Sequence, residues 1–406
     1  MDLPAPGTRI YIETFGCTAN VGDTMKMRAI LRNSCCEIVE EEREADAVIV
    51  NTCTVTKRTE LNMLKRLQQL KEQGKEVIVA GCLAAAQPEL VRSIMGKDVA
   101  MITPGDIYSS KEQEFDFDGF ICVIPISMGC IGNCSYCIVK QARGELKSYK
   151  PEMLCEAVKS AVDRGAKEIR ITAQDCSAYG FERSGIKLPE LLMQITAVNG
   201  DFRVRVGMMN PSTLLPILDD LLTAFDSEKV FKFFHIPVQS GSDNVLRDMK
   251  RNYKVADFVD IVRSIRSRFD YCTISTDFII GYPTETEGDF LLSLNLLETV
   301  KPEKVNITKF SPRPMTEAAK QKDLIEREKK RRSRISSSMY HKLSLATNKE
   351  LEGAVISVLA LERGKKGGVI ARDRSYRTVV IEEDLSPGAT YKVRVKEARS
   401  TYLVGE

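Results

Sequence analysis

At 406 residues, with 43% apolar and 28% charged residues and a formal net charge of only +3, the chain can build two or three domains with real cores and is not a globally basic nucleic-acid binder. Its opening residues lack the basic and apolar regions of a signal peptide, and no run approaches the ~20 apolar residues of a membrane helix, so a soluble cytoplasmic protein is expected. Twelve cysteines at this length, without a leader, suit metal binding in a reducing compartment better than disulfides.

Residues 9–15, 47–51, 76–80 and 99–103 read as apolar strands, with amphipathic helices over 21–33, 60–73 and 88–94. Such alternation predicts a small parallel sheet with helices on its faces, within a domain spanning 1–120. Cys17, Cys53 and Cys82 each follow the carboxyl end of one of the first three strands, the edge where open α/β sheets collect ligands. Singly, each is most simply a small buried hydrophobe. Three at equivalent positions can hold a metal cluster together.

The stretch Met128-Gly-Cys-Ile-Gly-Asn-Cys-Ser-Tyr-Cys-Ile138 carries the strongest chemical signal. Its C-x3-C-x2-C spacing packs Cys130, Cys134 and Cys137 into one loop, enough for three corners of a 4Fe-4S cluster with one iron left open. Electron-transfer clusters usually have a fourth cysteine, and the next one, Cys155, lies well outside the loop on a helix. Zinc wants four N/S ligands, yet the two histidines of the chain, His235 and His341, are both remote in sequence. Cys122 and Cys272 read as core, and nothing in the sequence gives Cys35, Cys36, Cys155 or Cys176 a function.

The loop resembles the signature of the radical S-adenosylmethionine (SAM) enzymes. Around the other triad, Phe-Gly-Cys17-Thr-Ala-Asn, Asn-Thr-Cys53-Thr-Val and Ala-Gly-Cys82-Leu-Ala resemble the amino-terminal domain of the methylthiotransferases, a likeness covering essentially the whole chain. The resemblance implies two 4Fe-4S clusters and SAM. The Cys130, Cys134, Cys137 cluster would cleave SAM to a 5′-deoxyadenosyl radical, and the Cys17, Cys53, Cys82 cluster would carry the sulfur that is methylated and transferred.

The central domain is expected over 121–345, with strands at 121–127, 168–173, 202–208, 230–236, 271–280 and 304–310. Six βα units suggest an incomplete barrel with its active face at the carboxyl ends of the strands, where the cluster loop follows strand one. Segments at these ends resemble the family's cofactor loops: Gln174 and Asp175, Gln239 and Ser240, Asp277, and Gly281. Their amides and carboxylates suit the ribose hydroxyls and amino group of SAM, and Gly281 would let the backbone approach adenine. His235 reads equally well as an ordinary buried histidine.

From about Leu351 the pattern turns to short strands, 353–360, 368–371, 376–381 and 391–396, suggesting a small barrel. It resembles a TRAM domain, an oligonucleotide-binding-like RNA module, placed at 346–406. Arg363, Lys365, Lys366, Arg372, Arg374 and Arg377 gather around its loops, with Tyr376 offered for base stacking. Ahead of it, Lys329, Lys330, Arg331 and Arg332 form a basic run suited to phosphates or, as simply, a solvated helix face paired with Glu326 and Glu328.

The fold class expected is therefore α/β: a small parallel-sheet α/β domain, a partial (β/α)6 radical-SAM barrel and a TRAM-like β-barrel. The loop and the following Gln141-Ala-Arg-Gly-Glu-Leu-Lys-Ser-Tyr149 resemble the archaeal and eukaryotic tRNA branch, and the end at Glu406 without an anchor points to the soluble archaeal type. That branch converts N6-threonylcarbamoyladenosine at position 37 to its 2-methylthio derivative. The implied partners are such a tRNA and an electron donor such as a ferredoxin or flavodoxin, with a monomer and no membrane. The rivals are a ribosomal-protein aspartate methylthiotransferase and a non-catalytic iron-sulfur RNA-binding protein.

Overall fold

The computed structural model describes residues 3–112, 114–183 and 185–406. In the amino-terminal unit, strands Glu37–Ile38, Arg9–Thr14, Ala47–Thr52, Glu76–Gly81 and Ala100–Ile102 lie in that order in one parallel sheet. Alternation decides the faces. Ile49 and Ile78 pack with Met27 and Leu31 of helix Thr18–Asn33, while Val48, Val50, Val77 and Val79 pack with Leu67 and Leu70 of helix Lys57–Glu72. The first strand of that row, only two residues long, carries no sequence pattern and was not expected.

Strands Ile121–Pro125, Glu168–Thr172 and Arg203–Val206 form one parallel sheet, and Phe233–His235, Thr273–Ile280 and Lys304–Lys309 a second. Lone bridges Val204–Val230 and Met208–His235 join them into one curved, open row. Ile169, Ile171, Val204, Val206, Ile274 and Phe278 face the surrounding helices in the main core. The opposite parity gives the concave face polar residues, among them Arg170, Arg205, His235, Asp277, Lys304 and Asn306. The fourth strand starts later than 230 because the Lys232 ammonium turns back to donate to the carbonyls of Phe225, Ser227 and Val230. Helix Thr18–Asn33 lies against the first barrel strand so closely that a β-carbon on Gly22 would come within 2.6 Å of Pro125.

The carboxyl-terminal unit is a closed five-stranded barrel of Val355–Arg363, Val369–Asp373, Thr378–Ile381, Leu403–Gly405 and Thr390–Ala398. The last three-residue strand, too short to read in the sequence, closes it. This barrel seats Leu359 and Leu361 on Phe231 and Phe233 at the amino ends of the strands of the larger one.

That seating corrects the role expected for Tyr376. Its backbone takes φ +68, the third strand begins only at Thr378, and the ring packs 4.9 and 5.1 Å from Phe231 and Phe233. Its hydroxyl meets the buried Glu168 carboxylate. Arg377 is likewise committed inward, donating to Ser375 Oγ at 2.9 Å with its guanidinium 4.5 Å over the Tyr271 ring. Neither side chain is offered to RNA.

The basic run opens helix Glu326–Lys349 and splits by face. Lys329 and Arg332 are buried: Lys329 Nζ donates to Asp323 at 2.7 Å and to the Phe310 carbonyl, and Arg332 pairs with Glu285 at 2.6 Å and Glu328 at 2.8 Å. Both therefore lock the helix to the barrel instead of meeting phosphates. Arg331 is half-exposed between Glu287 and Glu328, while Lys330 is exposed and, among the described residues, unpaired. Among the described residues no helix is long and apolar enough to cross a membrane.

Candidate active site

The loop carrying Cys130, Cys134 and Cys137 is fastened at its base by the antiparallel pair Ser127–Met128 and Lys147–Ser148. Gly129 is required there: its φ is +80, and a β-carbon would lie 2.0 Å from the Glu145 carbonyl oxygen. Within the loop, the Gly132 N–H donates to Cys130 Sγ at 3.2 Å. Ser135 Oγ donates to the Asp248 carbonyl and shares a hydrogen bond with the Tyr282 hydroxyl, each at 2.8 Å, which holds the loop against the fifth-strand corner. Arg251 reaches Cys134 Sγ with Nη1 at 3.4 Å, and its Nε is buried without a protein partner. Burial pushes the Cys130 thiol up to about 11 and the Cys137 thiol upward as well. Buried thiols such as Cys130 and Cys137, which resist ionisation on their own, are suited to a cationic partner that draws off their protons.

The second triad assembles from three loops of the amino-terminal sheet. Cys17 precedes helix Thr18–Asn33, Cys53 follows strand Ala47–Thr52, and Cys82 opens helix Cys82–Ala86. Asn20 ties them together. Its Nδ2 donates to the Phe15 and Thr52 carbonyls, both at 2.8 Å, and the Cys17 and Cys82 thiols reach its Oδ1 at 3.9 and 3.7 Å. A β-carbon on Gly16, at φ +109, would lie 3.1 Å from Cys53 Sγ, so the first two loops touch. Burial pushes the Cys53 thiol up and takes Cys82 to about 11.

Into this second triad reaches Arg143, from the short helix Val139–Arg143 just past the first cysteine loop. It is 4% exposed, donating from Nη2 to Asn20 Oδ1 at 2.8 Å and to Asp23 at 2.5 Å. Cys82 and Ala86 pack on Ile138 and Ala142 of the same segment. Arg313, past the last barrel strand, enters from the other side and meets Thr54 at 3.0 Å and the Glu60 carboxylate. A cavity of about 100 Å³ lies between Val55 and Thr56, the Tyr136–Cys137–Ile138 stretch and the strand ends at Ile279 and Thr308. Cys137 lines this cavity directly, and Val55 in its wall lies two residues past Cys53. Sequence reasoning missed Asn20, Arg143, Arg251 and Arg313; the only signal for Arg143 was a charge set directly after a buried alanine beside the cysteine loop.

The other expected cofactor contacts divide. Gln174 faces the loop, its Oε1 accepting from the Gly129 N–H at 2.8 Å. Asp277 lies on the concave face between His235 Nε2 at 3.0 Å and Asn306 Nδ2 at 2.7 Å; burial favours its neutral form, but these bonds and the nearby Arg251 win and hold its carboxyl below the usual range. Gln239 sits at φ +69 with its backbone bonded to Asp277 and Ile279. Three expectations are corrected. Asp175 is 2% exposed and spends its carboxylate on Ser177, Thr213 and the Asn210 N–H. Ser240 is buried toward Ser293 of helix Glu287–Val300. Gly281 needs its missing side chain for Lys329, whose Cγ would lie 2.4 Å from a β-carbon there.

Of the basic residues on the small barrel, Arg363 pairs with Asp384, Arg374 with Glu228, and Arg372 bonds Thr378 and lies over Tyr376. Lys365 and Lys366, exposed between the first two strands, have no ion pair among the described residues.

Three family models match the chain: uncharacterized protein family UPF0004 over residues 9–102, the radical SAM superfamily over 124–297 and the TRAM domain over 349–406. A radical SAM methyltransferase from Kitasatospora setae, TsrM, shares the fold with a TM-score of 0.59 at 13% identity, covering 77% of both chains. An open parallel barrel with a three-cysteine loop at the end of its first strand defines a radical SAM protein. Among relatives, a probable threonylcarbamoyladenosine tRNA methylthiotransferase of Archaeoglobus fulgidus is 40% identical over 98% of both chains. That of Pyrococcus horikoshii is 39% identical over 98% of this chain and 99% of its own, and the Xenopus laevis enzyme 33% identical over all of this chain and 78% of its own. The chain belongs to the threonylcarbamoyladenosine tRNA methylthiotransferase family.

Proposed function

We propose that this protein methylthiolates C2 of N6-threonylcarbamoyladenosine at position 37 of tRNA, using SAM and two 4Fe-4S clusters. The observation that carries the reading is the adjacency of two separate cysteine triads, the segment after Cys137 packing Ile138 and Ala142 on Cys82 and sending Arg143 to Asn20. Each triad offers three thiols, which would leave one corner of a cluster without a protein ligand. Among the described residues no three His, Cys, Asp or Glu close around a single metal ion, and a cubane takes its thiolates at separate corners. Cys130, Cys134 and Cys137 would hold the cluster that binds SAM, and Cys17, Cys53 and Cys82 the other. When bound, these groups supply reductive cleavage of the sulfonium and the sulfur to be transferred.

The residues around them supply position and charge. Arg251 and Arg143 bring one buried cation each to a triad whose thiolates would otherwise repel, an outer contact that tunes a metal site. Gly132 N–H points at a ligand sulfur, lowering its charge. Val55, Tyr136, Ile138 and Ile279 wall the cavity and exclude water from a reactive radical. Gln174 and Asp277 stand at the edge with donors and an acceptor for the cofactor. On the small barrel Lys365 and Lys366, with Lys330, are suited to tRNA phosphates. The work divides among units at 1–120, 121–345 and 346–406, in a cytoplasmic monomer that draws electrons from a ferredoxin or flavodoxin.

The test is anaerobic incubation of the iron-loaded protein with SAM, sulfide, a reductant and tRNA, followed by digestion to nucleosides and mass spectrometry. Methylthiolated threonylcarbamoyladenosine is expected. A methylthio group on an aspartate of ribosomal protein instead, or tRNA binding with no SAM cleavage, would select one of the two rivals.

A further inference from the structure

Two segments run together over the cavity beside Cys137. Thr54 Oγ1 accepts from Arg313 Nη2 at 3.0 Å, and the Lys57 N–H donates to Ser311 Oγ at 3.3 Å. Val55, Thr56, Ser311 and Arg313 of these segments line the cavity with Cys137. Further along the second segment, the Ala318 N–H donates to the Ser135 carbonyl at 2.9 Å. The pair is thus fastened to the residue after Cys53 on one side and to the loop triad on the other, and forms a rim between the two.

This rim carries a strained apolar tip. Arg313-Pro314-Met315-Thr316 is a tight turn closed by the Thr316 N–H on the Arg313 carbonyl at 3.3 Å. Met315 holds its third position at φ +61, a backbone that ordinarily takes glycine or asparagine. The side chain recovers little of that cost within the chain, being 60% exposed, and Val55 on the other segment is 45% exposed. Strain held at an exposed apolar residue points to a contact made outside the chain.

Charge follows the same pattern. Lys57 and Arg58 open helix Lys57–Glu72, the end at which acids are favoured and cations are not. Both are exposed and, among the described residues, neither side chain has an ion pair or hydrogen bond. The neighbouring acids are engaged elsewhere: Glu60 with Arg313 and Thr54, Glu317 with Lys250 at 2.6 Å, Glu326 with Lys309 and Asp323 with Lys329 at 2.7 Å. An apolar tip beside two uncompensated cations is complementary to unstacked bases on a phosphate backbone. To present C2 to chemistry between two buried triads, the substrate base has to leave the stack of its loop, and its neighbours in the strand then stay at the rim.

We propose that this rim grips the RNA strand on either side of the substrate nucleotide: Met315, backed by Val55, covers a base left unstacked by the extrusion, and Lys57 and Arg58 take the flanking phosphates. The inference rests on the tRNA reading above and deepens it. Met315 acts as an apolar wedge, a use of methionine that fills a gap between bases without reading their sequence.

The experiment measures binding of the full iron-loaded chain, over a range of potassium chloride concentrations, to an anticodon stem-loop with threonylcarbamoyladenosine at position 37 and to a blunt duplex of the same stem. Wild type is expected to prefer the stem-loop. Met315→Asn keeps a residue that tolerates the turn but removes the apolar tip, and should weaken stem-loop binding roughly ten-fold, the range of burying one methionine side chain, without weakening duplex binding. Met315→Gly should do the same without lowering the melting temperature, since glycine relieves the strain, and Met315→Leu should restore binding. Lys57→Gln with Arg58→Gln should reduce the salt slope for the stem-loop by about 1.4, the share of two single-stranded phosphates. Wild-type stem-loop affinity in both Met315→Asn and Met315→Gly overturns the proposal, as does a loss equal for stem-loop and duplex or an unchanged salt slope. If the variants bind as wild type does and wild type still forms the methylthio nucleoside, the rim fails and the function stands. If the variants lose affinity as expected but no methylthiolated nucleoside forms with any RNA, the rim stands and the function fails.

Discussion

The two cysteine triads solve the same problem in opposite ways. Cys130, Cys134 and Cys137 occupy eight consecutive residues, stapled by a short antiparallel pair and by Ser135. Cys17, Cys53 and Cys82 are brought together from three strand ends by a sheet, one asparagine and two arginines that belong to the neighbouring barrel. The first site is therefore local to one loop, whereas the second is assembled by the fold of the amino-terminal sheet and braced from the neighbouring barrel. Their cations differ in the same sense: Arg251 comes from within the barrel that carries its triad, but Arg143 reaches across an interface.

The largest effects separate the triads by chemistry. Cys130→Ala should abolish SAM cleavage and methylthiolation together, measured as 5′-deoxyadenosine and modified nucleoside. Cys53→Ala should keep 5′-deoxyadenosine formation and lose the methylthio product. Normal product from either variant breaks the assignment of separate roles.

Next come the arginines. Arg143→Met leaves Asp23, 8% exposed in its side chain, without its ion-pair partner, a change of about 3–5 kcal/mol for a buried pair. It should lower the iron bound per chain toward that of one cluster, with the cluster that remains still supporting SAM cleavage. Arg251→Met should do the reverse. Arg143→Lys should recover only part of the loss, because one ammonium cannot match the planar fork that meets Asn20 and Asp23 together. Equal iron loss at both sites in Arg143→Met would mean the triads are not independently held.

A smaller effect probes docking. Arg313→Met removes the guanidinium that ties Thr54 and Glu60 to the barrel, next to Cys53. The distributed triad should then release iron to a chelator faster than the wild type does, while the loop triad does not change. The two release phases are separable by the loss of SAM cleavage, which follows the loop cluster alone.

What the sequence made legible follows the same division. The loop triad could be read because its chemistry is written in adjacent residues, and the parallel sheet because Ala47–Thr52 and Glu76–Gly81 are apolar runs between amphipathic helices. The convergence of Cys17, Cys53 and Cys82 was legible through topology, since strand ends of a parallel sheet must share an edge, and through the local sequences around the three cysteines. Residues whose partners lie in another unit could not be read at all. Tyr376 and Arg377 look like RNA contacts in a basic loop, yet the seating of one barrel on the other turns both inward. Lys329 and Arg332 share a run with exposed residues and differ only by which side of the helix meets Glu285 and Asp323. Strands Glu37–Ile38 and Leu403–Gly405 are too short for a period to show.

The smallest expected effect tests the docked interface through pH. Lys26, on the helix behind the distributed triad, is 2% exposed and meets the Tyr149 hydroxyl of the barrel unit at 3.2 Å. Burial lowers its amine from 10.5 to about 8, against the smaller opposing pull of Asp23 and Glu112. Below about pH 8 both folded and unfolded chains carry the proton, and the full burial penalty is present. Between about 8 and 10.5 the unfolded chain still binds a proton that the folded chain has released, so stability rises with pH across that window. Lys26→Met removes the penalty and the phenol contact together, for a net gain of about 1–2 kcal/mol at pH 7. In denaturant titrations that gain should shrink toward zero as pH climbs to 10.5. A gain independent of pH would mean that the ammonium is solvated at the interface, and that the two units are packed less tightly there than around Arg143.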